Sequence, residues 1–239
     1  MTTLDLAPNL DASRRVDETV TLRRCALYRK AFRGAAMSYP AEVLSFDAVA
    51  AWVVRHGVGV GVTTVDELDG VLAAGVSPLR IVMHGGSPSA TRRAVDAGVG
   101  KFAVDSGQDV ALLAGARRIQ RVLIDVTDGS VDDLAADVMS GNRLDLIGLH
   151  CRLGDPGDET AVEIVRGMVG QMSRVRRNYG VILTRLSLAG LVAISGERRD
   201  LRRVADMLDD AVEDGCARHR YPRPALVLTP ARSALLTTP

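Results

Sequence analysis

The stretch Ser38-Tyr39-Pro40-Ala41-Glu42-Val43-Leu44 is the first of eight short apolar runs whose arrangement decides the fold. The runs predicted as strands are residues 38–44, 58–63, 79–84, 101–105, 121–127, 146–151, 183–190 and 225–230. Between them lie segments with helical spacing of apolar residues, at 47–56, 65–74, 89–97, 108–116, 131–139, 159–179 and 200–218. This alternation predicts parallel strands that are joined by crossover helices.

Eight such strands in a chain of 239 residues favour an α/β fold of the closed (β/α)8 type, a single-domain TIM barrel. A doubly wound open sheet is the alternative. An amphipathic helix is predicted at 15–33, ahead of the first strand, where it would close the ring of helices. Residues 1–14 are expected to form a flexible lead-in, so that the barrel spans 15–235. No helix is expected after the eighth strand, because few residues follow it.

Composition and charge exclude several classes of function. Nearly half of the residues are apolar and the formal net charge is +1, so disorder and a nucleic-acid-binding tail are not expected. The arginine clusters lack the interleaved aromatic residues of nucleic-acid sites. No apolar run approaches the ~18 residues of a membrane helix. Three widely spaced cysteines give neither a metal motif nor a disulfide framework, which indicates a cytoplasmic protein.

The functional site of a parallel barrel lies at the carboxyl ends of its strands. We therefore expect the site to draw on the side chains that follow each predicted strand. These are Glu42, Thr63, Thr64, His84, Asp105, Asp125, His150, Arg152, Asp155, Ala189, Gly190, Thr229 and Arg232.

Five segments at strand ends carry a resemblance to a known family. They are residues 57–68, 80–85, 104–106, 148–154 and 230–233. In this order they resemble the barrel domain of the alanine-racemase-like (fold type III) pyridoxal phosphate enzymes, most closely the diaminopimelate and ornithine decarboxylases. The resemblance covers nearly all of the chain. It implies an alanine-racemase-type barrel, pyridoxal phosphate as cofactor, and amino-acid decarboxylation.

The same resemblance shows one decisive difference. It implies a lysine in the first strand that forms an aldimine with the cofactor, and Glu42 stands at that position. A carboxylate cannot form a Schiff base. The only lysines of the chain are Lys30, on the leading helix, and Lys101, at the start of the fourth strand.

Other positions that the family uses for the cofactor differ as well. The glycine turn that holds the phosphate corresponds to Ala189-Gly190-Leu191, and the phosphate-binding serine corresponds to Asp155. The glutamate that pairs with the pyridine nitrogen corresponds to Thr229. The family also has a β-rich second domain, which is expected to be missing here. Pyridoxal phosphate is therefore expected from the family, but its determinants are missing, and conventional decarboxylase or racemase activity is not expected.

Each candidate residue also has a plainer interpretation. Glu42 would be a general base, or a carboxylate that is solvated or paired with an arginine. His150 and Arg152 would bind an acidic substrate or an oxyanion, or remain from an ancestral pocket. Arg232, near Gly190, would be the remnant of an anion site. Asp155 with Asp158 fits a turn better than a metal site, so no metal is predicted.

Two functional hypotheses follow. The first is a pseudoenzyme that acts by protein–protein contacts, as a homo-oligomer such as a dimer or with a related subunit, through apolar surface near the barrel mouth. The second is a cofactor-independent enzyme or small-molecule binder that acts on a carboxylated metabolite. Its catalytic candidates are Glu42, His150, Arg152 and Asp155. An active pyridoxal-dependent decarboxylase is the least favoured alternative.

Overall fold

The computed structural model describes residues 7–154, 158–192 and 198–236. Its eight parallel strands form a closed barrel in which each strand pairs with the next and β8 pairs with β1. The predicted (β/α)8 barrel is confirmed, and the open sheet is excluded. The strands are β1 (Ala36–Pro40), β2 (Gly59–Val62), β3 (Ile81–His84), β4 (Lys101–Val104), β5 (Gln120–Asp125), β6 (Leu144–Arg152), β7 (Arg185–Leu191) and β8 (Ala225–Pro230).

The helices surround the barrel. They are α1 (Ala7–Ala31), α2 (Asp47–His56), α3 (Val65–Ala73), α4 (Pro88–Asp96), α5 (Gly107–Ala114), α6 (Val131–Ser140), α7 (Asp158–Tyr179), α8 (Arg198–His219) and α9 (Arg232–Leu235). Short 3-10 turns lie at Ala41–Ser45 and Pro78–Arg80. Among the described helices, none is long and apolar enough to cross a membrane.

Three predictions about the elements were wrong. The leading helix begins at Ala7, well before residue 15, and a short helix, α9, follows β8. The first strand ends at Pro40 instead of continuing to residue 44, and Glu42 lies in the 3-10 turn that follows. Proline has no amide proton to donate to a strand ladder, so a strand readily ends there.

The strand residues alternate between two apolar layers. Outward-facing side chains such as Val60, Ile81 and Phe102 join the main cluster between barrel and helices. A small second cluster of Val82, Ala103 and Leu123, with Ile147 against it, comes from the other face of β3 to β6. That face lines the barrel interior, so β3 to β6 supply its bulky apolar filling.

Candidate functional site

Two predicted residues meet where the barrel closes. Glu42 follows β1 and Arg232 begins α9 after β8, and β1 and β8 are neighbours. The Arg232 guanidinium lies 3.8 Å from a Glu42 carboxylate oxygen, with 68% and 37% of the two side chains exposed. An exposed pair of this kind contributes at most ~1 kcal/mol to stability. The arrangement places a cation and an anion together at the position where the resemblance implies a lysine.

A pair of histidines lies further inside the barrel. The rings of His84 and His150 are 4.6 Å apart between centroids and tilted by 49°. A Cβ on Gly61 would come within 3.0 Å of the His84 Nε2, so glycine on β2 makes room for this ring. His150 Nδ1 is 3.0 Å from Ser187 Oγ, while its buried Nε2 has no hydrogen-bond partner among the described residues.

Burial keeps both rings neutral. Desolvation, with the nearby His150 and Arg152, lowers the pKa of His84 to about 3, although Asp125 opposes the shift. Desolvation and Arg152 lower the pKa of His150 to about 4. Neither imidazole therefore carries a charge at neutral pH, and either could accept or donate a hydrogen bond without an ionic cost.

Arg152 is positioned by residues of β5 and the turn after it. Its guanidinium lies 3.6 Å from the Asp125 carboxylate, and its amide donates to Thr127 Oγ1 at 2.8 Å. The amide of Thr127 donates to Asp125 at 2.9 Å, and the Thr127 hydroxyl donates to the same oxygen. Asp125 is nearly buried, whereas more than half of the Arg152 side chain is exposed. An exposed guanidinium fixed in this way can bind a carboxylate or phosphate.

The turn after β7 keeps one glycine in a left-handed conformation. Gly190 has φ +84°, and a Cβ there would lie 3.4 Å from the Gly154 amide nitrogen. The register with β8 shifts between Ala189 and Leu191. Leu191 is buried in the main apolar cluster, and Thr229 of β8 is buried as well.

One predicted residue cannot be placed, and both lysines lie away from this site. Asp155 lies outside the described residues. Lys30 is in the last turn of α1, and Lys101 begins β4 at the opposite end of the barrel. Within the described ranges, no group of three His, Cys, Asp or Glu residues could hold a metal ion.

Two contributing residues, Thr127 and Ser187, were not among the expected site residues. Both are small hydroxyl residues that hold another site residue by a hydrogen bond. A polar residue within the apolar run of β7 was the available signal for Ser187.

Comparison with known proteins gives the family. Residues 19–141 match the family model described as pyridoxal-dependent decarboxylase, pyridoxal binding domain. The chain is 28% identical over 259 residues to diaminopimelate decarboxylase of Corynebacterium efficiens, covering 91% of this chain and 56% of that protein. The Mycobacterium tuberculosis enzyme is 28% identical over 263 residues, covering 91% and 58%. The chain thus spans little more than half the length of these relatives.

Solved structures share the fold. Diaminopimelate decarboxylase from M. jannaschii, in complex with L-lysine, superposes with a TM-score of 0.77 at 16% identity, covering 93% of this chain and 61% of that one. The Chlorella virus arginine decarboxylase bound to agmatine gives 0.75 at 16% identity, covering 91% and 63%. With the closed barrel and the match over more than half of its length, this chain belongs to the pyridoxal-dependent decarboxylase family and has the fold of its type III barrel domain.

Proposed function

We propose that this chain is a non-catalytic member of the family that acts through protein contacts. The observation that carries the proposal is the Glu42–Arg232 ion pair at the end of β1 and β8. It puts a carboxylate where the family chemistry needs an amine. The Glu42 carboxylate also partly neutralises Arg232, the residue expected to bind an anion at this end of the barrel.

The residues present do not fit a covalently held pyridoxal phosphate at this end of the barrel. The chain has two lysines, Lys30 at the end of an outer helix and Lys101 at the far end of the barrel. A phosphate approaching Arg232 would also meet the charge of Glu42, and like charges repel more strongly as water is excluded. Thr229 can form hydrogen bonds but supplies no negative charge to a pyridinium.

The chemical part of this proposal is tested with pyridoxal phosphate and an amino-acid substrate. The purified chain is incubated with both, and carbon dioxide release from diaminopimelate is measured beside the C. efficiens enzyme. We expect no release above background. Release that depends on pyridoxal phosphate and persists after repeated purification would contradict the proposal.

The variant Glu42→Lys separates the missing amine from the other differences. We expect borohydride reduction to attach a pyridoxyl group at residue 42, because the amine is restored, but we expect no carbon dioxide release. Glu42→Gln is the matched control, since it removes the charge without supplying an amine. Mass spectrometry of peptides locates the label. Decarboxylation by Glu42→Lys would show that the other departures from the family pattern do not prevent catalysis, which would contradict the proposal.

We propose a second copy or a related decarboxylase subunit as the partner. Apolar surface is expected near the barrel mouth, and Val192 is exposed there. Larger exposure occurs at the other end, where Ile119 precedes β5 and Ile182 precedes β7. These side chains favour contact through the amino-end face, because burying them would remove apolar area from water.

Light scattering on a size-exclusion column tests this contact. We expect a dimer, or a complex with an added diaminopimelate decarboxylase, that the double variant Ile119→Ser, Ile182→Ser weakens at least tenfold. Val54→Ser on α2 is the control, since Val54 is also exposed but lies on the helical layer. A monomer at all concentrations, without association with the decarboxylase, would remove the contact hypothesis.

A second candidate function is binding of a carboxylated metabolite at the strand ends. The favouring observation is that Arg152 and Arg232 both expose much of their side chains at that end. Thermal shifts with di- and tricarboxylates distinguish the candidates. A saturable shift that is lost in Arg232→Gln and Arg152→Gln, but kept in the surface control Arg55→Gln, would favour the binder. The contact proposal expects no shift.

A further inference from the structure

A cavity of about 730 Å³ opens at the amino end of the barrel, opposite the strand-end site. It reaches from the rim, where Arg29 and Arg80 lie, into the interior at Ser38 and Ser187. Small-molecule sites usually have volumes of roughly 300–1,000 Å³. The cavity is therefore large enough for a metabolite.

Side-chain size explains the space. The interior of a (β/α)8 barrel is normally filled by layers of bulky branched residues. Here Val82 and Leu123 supply bulk from β3 and β5. On the other side of the ring, β1 contributes Ser38, β2 contributes Gly59 and β7 contributes Ser187. These small residues leave the barrel unfilled next to its amino-end opening.

The charge around this opening is positive. Lys101, the first residue of β4, and Arg185, the first residue of β7, line the cavity together with Arg80 and Arg29. Among the described residues that line it, none is a carboxylate. Burial, followed by the charges of Arg185, Arg121 and Arg80, lowers the pKa of Lys101. A bound anion would offset this repulsion.

Ser38 provides an independent sign of a ligand. Its side chain lines the cavity, only 3% of the residue is exposed, and its Oγ has no hydrogen-bond partner in the described structure. A buried hydroxyl without a partner costs about 1–3 kcal/mol. By contrast, Ser187 on the same lining is paired with His150. The Ser38 hydroxyl thus has unused hydrogen-bonding capacity at the wall of the cavity.

We propose that the amino-end cavity binds a small phosphate-bearing metabolite, with its phosphate held by Lys101 and Arg185 and a polar group bonded to Ser38. Several cations converge on one opening, which favours a doubly charged phosphate over a single carboxylate. The site lies at the opposite end of the barrel from Glu42 and Arg232. The proposal therefore does not depend on whether the strand-end site is catalytic, although a protein partner seated on the amino-end face would cover the opening of this cavity.

Calorimetric titration of the full chain with pyrophosphate and with inorganic phosphate tests the site. We expect saturable binding of pyrophosphate with one site per chain, and binding at least tenfold weaker in Lys101→Met. Lys30→Met is the matched control, because it removes the other lysine of the chain from an exposed helix end. Unchanged affinity in Lys101→Met, or an equal loss in Lys30→Met, overturns the proposal.

The variant Ser38→Ala tests the site without the risk that weaker binding merely reflects a destabilised protein. Removing an unpaired buried hydroxyl should leave the protein as stable as before or more stable, so weaker binding in this variant would reflect a lost contact. We expect a three- to tenfold loss of affinity for pyrophosphate. Succinate is titrated in parallel as a dicarboxylate. Equal or tighter binding of succinate overturns the assignment to phosphate, and no saturable binding of either probe overturns the site.

Discussion

At the scale of single residues, Gly190 shows most directly what the turn after β7 requires. Its φ of +84° is a conformation that residues with a side chain rarely adopt, and its neighbour across the turn is the backbone of Gly154. We expect Gly190→Ala to lower the free energy of unfolding by about 1–2 kcal/mol, measured by urea denaturation.

Gly167→Ala is the matched control for this substitution. Gly167 lies in α7 with open space around it, so alanine should stabilise the helix by up to about 1 kcal/mol. If Gly190→Ala were as stable as Gly167→Ala, the turn would not depend on the left-handed conformation.

Residue identities at the site could be predicted, but their contacts could not. Glu42, His84, Asp125, His150, Arg152 and Arg232 were all expected at the strand ends from the strand pattern. The pairing of Glu42 with Arg232 depends on closure of the barrel between β8 and β1, which joins distant parts of the chain. The bond between His150 and Ser187 depends on the register of β6 and β7.

At the scale of elements, α3 illustrates how a local pattern specifies a boundary. Thr64 Oγ1 accepts a hydrogen bond from the Glu67 amide at 3.2 Å, and Glu67 accepts in return from the Thr64 amide at 3.3 Å. The sequence predicts this capping box because all of its groups lie within four consecutive residues.

We expect Thr64→Ala to destabilise the protein by about 1 kcal/mol in chemical denaturation, because one amide at the start of α3 loses its partner. Thr63→Ala is the control, since the bond from Thr63 to Glu67 uses the backbone amide and survives the substitution. Equal destabilisation by the two variants would show that the cap bond contributes nothing specific.

Element boundaries were predictable where local chemistry determines them. The bounds Asp47–His56 and Ala225–Pro230 agree with the sequence prediction to the residue. The end of β1 was placed too late, since the apolar pattern continues through Val43 into the 3-10 turn. Val43 is buried there as fully as a strand residue, so hydrophobicity alone could not separate the two conformations.

At the scale of the whole molecule, the buried histidine pair links folding to pH. The ordinary histidine pKa of 6.5 falls to about 4 for His150 and about 3 for His84 in the folded protein. The unfolded chain therefore takes up protons first as pH falls. The stability that the neutral pair contributes is complete above pH ~6.5 and is lost progressively as the pH falls through about 4, for His150, to about 3, for His84.

We expect the free energy of unfolding to drop by several kcal/mol over this range, since each unit of pKa shift corresponds to about 1.4 kcal/mol. Asp125 and Arg152 face the same pair and remain in all samples. His150→Asn should make the acid-side loss shallower, and His219→Asn on α8 should not. Identical pH profiles for the wild type and His150→Asn would contradict the assignment.

The barrel as a whole was predictable because eight alternations of strand and helix leave few topologies. The amino-end cavity was not, because it depends on which inward positions share a layer. The sequence shows Ser38, Gly59 and Ser187 on separate strands, and only the closed ring brings them around one space.

Lys101 also has a consequence for chemical labelling. A half-buried amine with a lowered pKa loses its proton more readily than an exposed lysine, and the unprotonated amine is the nucleophile. Pyridoxal phosphate is itself an aldehyde that carries a phosphate, so the amino-end cavity would concentrate it beside this amine. A yellow colour in the wild-type protein would then arise from modification of Lys101, and only the position of the reduced adduct would distinguish that side reaction from inherited coenzyme chemistry.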